Sequence, residues 1–234
     1  MQIQVFDNAD KDNRPKSQIK EHLLQFGQPF SILIIGLSDC GKTNLIKNII
    51  NMNDFKIIYV MHAELDSHDY DDIPHINYDI GEDYIERFRE YADIPKLLII
   101  DDIDFRNFKK ETQNWFYKML TYTRTHTNLS IISTVQDAIY YPPIIRRTFP
   151  IIVIYKYIKL EPLRETQAFN VIDSKEIDFT RKKFMKSDYD FIIVNNKTKR
   201  AWVSLNNNLQ LLKDNTLKHD DDYYVVDDFI DEEY

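Results

Sequence analysis

A glycine-rich motif near the start of the chain has the residue types that bind phosphate. Residues 36–43 follow the pattern G-x-x-x-x-G-K-T, after an apolar stretch that begins at Phe30 and before a run with helical apolar spacing over 44–52. A phosphate-binding loop requires this strand–loop–helix context. The chain has only four glycines, and two of them, Gly36 and Gly41, occupy the positions where the loop turns tightly. The motif therefore predicts a loop whose backbone N–H groups point at phosphate oxygens beside a helix N-terminus.

The motif assigns roles to individual side chains. Lys42 is expected to reach the β- and γ-phosphates of ATP, and the Thr43 hydroxyl is expected to be a Mg²⁺ ligand. The residues predicted to surround the nucleotide are Gly36, Leu37, Ser38, Asp39, Cys40, Gly41, Lys42, Thr43 and Asn44. Asp39 stands where glycine is common, but Asp tolerates positive φ better than most residues. We therefore expect the loop to form, with this carboxylate pointing away from the nucleotide.

Two carboxylates follow a second apolar run, which predicts a strand over 96–101. At the end of this strand, Asp101 is expected to hold the water shell of Mg²⁺. Asp102 is expected to orient and deprotonate an attacking water. The structural alternative is that both acids cap a following helix. Asp104 is interpreted as such a cap rather than as a third catalytic acid.

Polar and basic residues follow a further predicted strand over 128–135. Gln136 is expected to sense or position the water at the γ-phosphate; the alternative is that it simply begins a loop. Arg146 follows two prolines on a predicted short helix. A guanidinium near the γ-phosphate stabilises transition-state charge, often across a subunit boundary, and Arg146 is our candidate for this role. Arg124 and Arg147 are the other candidates.

Five sequence blocks, in this order, carry a resemblance to a known family. They are residues 36–45, 97–102, 123–126, 129–136 and 141–146. Together they resemble the poxvirus-type genome-packaging ATPases of large DNA viruses and their small relatives, within the FtsK–HerA superfamily. In that family a basic block with His precedes the fourth strand, a Gln ends it and a Pro-x-x-Arg segment follows. The resemblance spans about 30–157 and departs at Asp39, at Thr125, and at Asp102, where Glu is frequent.

The resemblance implies an α/β P-loop NTPase of the additional-strand type, in which the strand before Gln136 lies between the loop strand and the carboxylate strand. It implies an ATP- and Mg²⁺-dependent motor that moves double-stranded viral DNA into a preformed capsid, without reading its sequence. Such motors are homo-oligomeric rings, either pentamers or hexamers, in which Arg146 would reach the ATP of a neighbour. Capsid or portal-vertex proteins are the implied partners. The implied location is the host cytoplasm at viral assembly sites, with virion association as a further expectation.

The alternation of apolar and helical patterns independently predicts a largely parallel sheet with helices on both faces. Further strands are expected over 56–61 and 150–157, and helices over 82–93 and 108–123. We divide the chain into an N-terminal strand (1–6) and helix (19–26) within 1–29, an ATPase core at 30–163, an extension at 164–219 and an acidic tail at 220–234. The tail is expected either to be disordered or to act as a docking peptide for a capsid or accessory protein or as a DNA mimic. Within the extension we expect a helix over 164–172 and a hairpin of strands over 189–194 and 200–205.

Composition limits the class of protein. The net charge is −8, but residues 220–234 contain eight acids and no Lys or Arg, so the remaining 30 acids balance the 30 bases. This balance of charges neither excludes nor indicates a nucleic-acid partner. No apolar run approaches the roughly 18 residues of a membrane span, and the first residues lack the pattern of a signal peptide. With a single cysteine, Cys40, no disulfide framework is expected, which indicates a reducing compartment.

The segment over 62–72 is rich in acids and His, which are metal-binding residue types. Its spacing fits no common metal site, so a solvated surface loop is expected. Three functional classes compete with the packaging motor. They are another DNA-transfer or helicase-loader ATPase, a small-molecule P-loop kinase, and a nucleotide-gated assembly protein that does not hydrolyse ATP.

Overall fold

The computed structural model describes residues 24–62, 69–73, 76–77 and 88–216. The strands are β1 (Ser31–Ile35), β2 (Ile57–His62), β3 (Ile76–Asn77), β4 (Lys96–Asp101), β5 (Leu129–Val135), β6 (Ile151–Tyr155), β7 (Phe191–Asn195), β8 (Arg200–Leu205) and β9 (Asn208–Asp214). The helices are α1 (Lys42–Met52), α2 (Lys110–Lys118), α3 (Arg124–His126), α4 (Pro143–Arg146) and α5 (Ser174–Lys183). A π-helical turn, Met119–Thr123, joins α2 to α3.

Within the described residues, the strands form one sheet in the order β3-β2-β4-β5-β1-β6-β7-β8-β9. The first six strands in this order are parallel. Strand β5 lies between β1 and β4, as the resemblance implied. Ile35 pairs with Val135 and Ile100 pairs with Ser133. The carboxyl ends of the loop strand, of β5 and of the carboxylate strand therefore meet at one edge, where ligands bind in open parallel sheets.

Strands β1, β4 and β5 are buried along their whole length. Strands covered on both faces are rich in Ile, Leu and Val without alternation, and this composition made them recognisable in the sequence. No described helix is long and apolar enough to cross a membrane.

The C-terminal part extends the same sheet with antiparallel strands. The predicted hairpin is confirmed as β7 and β8, and β9 pairs with β8 beyond it. Strand β9 was missed in the sequence, although its turn carries a signal. Asn206 and Asn207 both have positive φ, 48° and 64°, and two such residues form the two-residue turns that suit a hairpin.

The helix predicted over 164–172 is wrong. Short 3₁₀ turns occupy Glu161–Glu165 and Ala168–Asn170, and the helix of this region is α5, where the sequence analysis placed none. Its start is a capping box: the Asp173 carboxylate accepts from Glu176 N at 2.8 Å, while Glu176 Oε2 accepts from Asp173 N at 2.9 Å. The Asp-x-x-Glu spacing is a helix-start signature that outweighs the weak apolar periodicity before it.

Several predicted elements fall partly or wholly outside the described residues. The strand over 1–6 and the tail over 220–234 lie outside them. Of the helix predicted over 19–26, only 24–26 are described, and they are not helical. Of the helix over 82–93, residues 88–90 are helical and 82–87 lie outside. The domain boundaries stay predictions.

An aromatic cluster packs between the segments that follow β4 and β5. The rings of Phe105 and Phe116 stack with centroids 4.2 Å apart, and Tyr141 meets Phe105 edge-on at 4.9 Å. The Tyr141 hydroxyl forms a hydrogen bond with Ser133 on β5. These contacts fix the connections that leave the carboxyl ends of the two strands.

Replacing Phe116 by Ala should lower the free energy of unfolding by about 3–5 kcal/mol, because it leaves a cavity beneath this fully buried cluster. Urea denaturation measures the change. Phe179→Ala on α5 is the control: its ring is 51% exposed, and we expect a loss below about 1 kcal/mol. Similar losses in the two variants would contradict the role assigned to the cluster.

Candidate active site

The glycine-rich loop has the backbone that its sequence predicted. Gly41 has φ 93° and Asp39 has φ 59°, so Asp39 takes the left-handed conformation expected of it. At Gly36, glycine is required because there is no space for a side chain. A Cβ there would lie 2.5 Å from Cys40 Sγ and 2.8 Å from Tyr155 Cδ2. The loop can therefore leave β1 only through a glycine.

Cys40 packs under the loop rather than toward solvent. Burial raises the pKa of its thiol to about 11, so the thiol stays protonated near neutral pH and is a small packing group. Leu37, Ser38 and Asp39 are exposed at the loop tip, and Asn44 is half-buried in the first turn of α1.

Lys42 is nearly buried and bends back over the start of the loop. Its Nζ donates to the carbonyl oxygen of Gly36 at 2.9 Å and to that of Leu37 at 2.8 Å. The loop start is in turn held to β5, since the Gly36 N–H donates to the Val135 carbonyl at 3.0 Å. The positive charge of Lys42 is thus held over the start of the loop, and the loop start is bonded to Val135, the residue before Gln136.

The two predicted metal-binding residues, Thr43 and Asp101, are linked by a tyrosine. The Tyr70 hydroxyl donates to Asp101 Oδ2 at 2.6 Å and also forms a side-chain hydrogen bond with Thr43. Tyr70 is fully buried. Burial raises the pKa of its hydroxyl well above the ordinary value, and the charge of Asp101 raises it further. The hydroxyl therefore stays protonated and donates a hydrogen bond to the carboxylate.

The prediction of a solvated surface loop over 62–72 holds for Asp69 and Asp71, which are exposed, but not for Tyr70, which is buried. Besides the buried Tyr70, Asp72 forms a 2.8 Å ion pair with Lys47 on α1. His62 Nε2 lies 3.7 Å from Asp101 Oδ2. Ligand atoms of His62, Asp69 and Asp101 all lie within 4.8 Å of one another. Residues 63–68 lie outside the described part of the chain.

Asp102 and Gln136 come together as the sequence predicted. Gln136 Nε2 donates to Asp102 Oδ2 at 2.6 Å. Asp102 has φ 54°, and its N–H donates to Thr134 Oγ1 at 3.0 Å. Its Oδ1 is buried and has no hydrogen-bond partner within the described residues. The left-handed conformation of an Asp costs of order 1 kcal/mol. This turn places Oδ2 beside Gln136 and leaves Oδ1 without a donor among the described residues.

The acids after β4 have separate roles. Asp104, rather than Asp102, caps the 3₁₀ turn that follows: its carboxylate accepts from the Arg106 N–H at 2.9 Å. The interpretation of Asp104 as a cap is confirmed. The side chain of Asp102 instead faces the Gln136 amide, which favours the chemical role over the structural alternative.

The three candidate arginines differ in their surroundings. Arg146 is buried, and its Nη1 donates to the Pro162 carbonyl at 2.8 Å. Arg124 Nη1 donates to the Pro29 carbonyl at 2.9 Å. Arg147 has a largely exposed side chain that pairs with Glu165. The structure therefore does not bring Arg146 to the loop of its own chain, and its reach to a neighbour stays a prediction.

Sequence reasoning missed two residues of this site. Thr134 donates to Asp101 and accepts from Asp102; a hydroxyl two positions before Gln136, inside an apolar strand, was the available signal. The sequence held no comparable signal for Tyr70, because the position of this residue depends on the path of a loop.

The glycine at the loop start gives a direct test of this geometry. Gly36→Ala should weaken ATP binding at least tenfold, because its methyl group would overlap Cys40 and Tyr155 and shift the loop. Isothermal titration calorimetry measures the affinity. Gly27→Ala is the matched control, since a Cβ there meets nothing within 4 Å. Unchanged ATP affinity in folded Gly36→Ala protein would contradict the assignment of this loop.

The model of the ATPase family associated with various cellular activities (AAA) matches residues 32–156, more than half of the chain. No curated protein sequence matches significantly.

Solved structures share the fold at low sequence identity. The genome-packaging NTPase B204 of Sulfolobus turreted icosahedral virus 2, bound to ATPγS, is 16% identical with a TM-score of 0.55. The match covers 75% of this chain and 96% of that one. The DNA-packaging ATPase B204 of Sulfolobus turreted icosahedral virus is 14% identical with a TM-score of 0.53, covering 76% and 98%. The likeness establishes the fold, a mostly parallel P-loop NTPase sheet. Together with the matched family model and the loop geometry, it shows that the chain belongs to the AAA family of P-loop ATPases.

Proposed function

We propose that this protein is an ATP-driven motor that moves double-stranded DNA, and specifically a viral genome-packaging ATPase. The observation that carries the hydrolytic part is the 2.6 Å contact between Gln136 and Asp102. This pair lies at the edge of the sheet where the Gly36 N–H is held by Val135. A protein that only binds nucleotide has no use for a carboxylate and an amide placed together beside the phosphate loop.

The residues divide the reaction between them. The loop from Gly36 to Thr43 binds the phosphates through backbone N–H groups, and Lys42 neutralises their charge. Asp102 accepts a proton from the attacking water, for which its unpartnered Oδ1 is the available oxygen. Gln136 holds the other carboxylate oxygen and orients the carboxylate toward the water.

The oxygen donors at Thr43 and Asp101 suit Mg²⁺, which prefers hydroxyl, carboxylate and water ligands. Thr43 would coordinate directly and Asp101 through the water shell. Bound there, Mg²⁺ would neutralise charge on the β- and γ-phosphates. The Tyr70 hydroxyl contacts both residues and keeps their side chains oriented toward each other.

The DNA-packaging part rests on two supports. The sequence blocks from the loop to the Pro-x-x-Arg segment resemble packaging ATPases of the FtsK–HerA superfamily. The packaging NTPases cited above share the fold over 96% and 98% of their own length. We propose a homo-oligomeric ring, pentameric or hexameric, with DNA in its channel and a capsid or portal-vertex protein as its dock. The site of action would be the host cytoplasm where virions assemble.

Two other classes remain as alternatives. A helicase loader or another DNA-transfer ATPase would use the same site, and differs in the partner rather than in the chemistry. A small-molecule kinase would need an acceptor hydroxyl where Asp102 is proposed to activate water. The Gln136 contact favours hydrolysis, because it orients the carboxylate through Oδ2 and leaves Oδ1 without a partner among the described residues.

Asp102→Asn should reduce the rate of ATP hydrolysis about 10²- to 10⁴-fold, since general-base catalysis contributes this much. The affinity for ATP should stay within about threefold, because the phosphate loop is unchanged. Steady-state phosphate release and nucleotide titration measure the two quantities. Asp104→Asn, in the same loop but only a cap, is the matched control and should retain the rate. An unchanged rate of ATP hydrolysis in Asp102→Asn would show that Asp102 is not the general base.

Linear double-stranded DNA should raise the ATP turnover several-fold, because a motor couples hydrolysis to its track. Lys42→Ala should abolish turnover with and without DNA. The assay is phosphate release at low salt and again at high salt, since phosphate contacts weaken as salt rises. Turnover that ignores DNA, in a preparation shown to be assembled, would reject the motor while leaving the ATPase.

A further inference from the structure

An exposed tyrosine lies against the phosphate loop and has no part in the chemistry described above. Tyr189 is 60% exposed. A Cβ built on Gly41 would lie 3.2 Å from Tyr189 Cδ1 and 3.9 Å from its Cε1. One edge of the ring thus touches the last glycine of the loop, next to Lys42. The residue is otherwise largely open to solvent.

The sheet topology places this ring on a defined side of the loop. Strand β6 lies between β1 and β7, with Ile35 of β1 paired to Ile154 and Phe191 of β7 paired to Tyr155. The phosphate loop begins directly after β1, and Tyr189 lies just before β7. Because β7 is antiparallel to β6, its start and the end of β1 meet at the same edge. Tyr189 therefore flanks the loop on the side opposite to Asp101, which ends β4, and Asp102, which follows it.

The turn that carries Tyr189 is fixed although the ring is exposed. The carboxylate of Asp190 is buried and accepts from Ser187 N at 2.8 Å and from Asn206 N at 3.0 Å. The Tyr189 N–H donates to Ser187 Oγ at 3.2 Å. A rigid aromatic side chain on a fixed turn loses little conformational entropy when it binds a flat ligand.

We propose that Tyr189 is the surface on which the base of the bound nucleotide stacks. The inference deepens the proposed function, because it rests on phosphate binding at the same loop. With the triphosphate in the loop and its γ end toward Asp102, the nucleoside leaves the loop on the opposite side, where the ring lies. Aromatic stacking tolerates every base, since each has a π-face. The site would therefore accept nucleotides without reading the hydrogen-bonding edge of the base.

The test separates the base from the phosphates. Calorimetry gives the dissociation constants of ATP and of inorganic tripolyphosphate, both with Mg²⁺, for the wild type and for Tyr189→Ala. The variant should bind ATP about 5- to 100-fold more weakly, which is the range of one aromatic–base stack. Its affinity for tripolyphosphate should stay within twofold. Tyr189→Phe keeps the ring and should bind both ligands as the wild type does.

Two further variants distinguish the ways in which the inference can fail. Tyr122→Ala removes a tyrosine that is 61% exposed on the π-helical turn leading back to β5, and should change neither constant. Lys42→Ala should weaken both ligands. If it weakens neither, the nucleotide site itself is misassigned. If Lys42→Ala behaves as expected but Tyr189→Ala leaves ATP binding unchanged, the stacking role is overturned. An equal loss for ATP and tripolyphosphate would also overturn it, because Tyr189 would then only support the loop.

Discussion

The hydrogen bonds of the Thr134 hydroxyl hold the two halves of the candidate active site together. This hydroxyl is fully buried on β5. It donates to the Asp101 carboxylate and accepts from the Asp102 N–H. One hydroxyl group therefore forms hydrogen bonds with both acids at the end of β4. A buried polar group without a partner is costly. Val at this position would remove the hydrogen bonds that Thr134 makes to Asp101 Oδ1 and to the Asp102 N–H. The parallel register between β4 and β5 makes the arrangement possible, because it sets Thr134 beside the end of the carboxylate strand.

The same register extends the constraint to the phosphate loop. Val135, the last residue of β5, accepts the Gly36 N–H, and Gln136, the next residue, reaches Asp102. Three consecutive residues, Thr134 to Gln136, thus contact Asp101, the phosphate loop and Asp102. The strained φ of Asp102 is tolerated because its N–H and one carboxylate oxygen are both bound. Hydrogen bonds thus hold both carboxylates in place, and Asp102 Oδ1 has no partner among the described residues.

The sequence predicted those parts of the site that depend on local motifs and on the ends of apolar strands. The loop, Asp101, Asp102 and Gln136 were found because residues at the carboxyl ends of parallel strands must converge. Tyr70 was not found, because its burial depends on how a loop returns over α1, where the Lys47–Asp72 ion pair anchors it. The α5 helix was missed because its apolar face is weak and its stability comes from the Asp173 cap. The surroundings of Arg146 depend on the Pro162 carbonyl, which no motif specifies.

The arginines after β5 show how packing bears on assembly. To reach a neighbouring subunit, Arg146 would have to leave a buried position and give up its bond to Pro162, and its Nε is already buried without a partner in the described chain. Arg147 would give up only an exposed ion pair with Glu165, and such pairs contribute about 1 kcal/mol or less. The cost of exposing a guanidinium to a second subunit is therefore lower at Arg147. If the chain assembles as the proposed ring, Arg147 is the less costly contact across a subunit interface, while Arg146 holds α4 against the turn at Pro162.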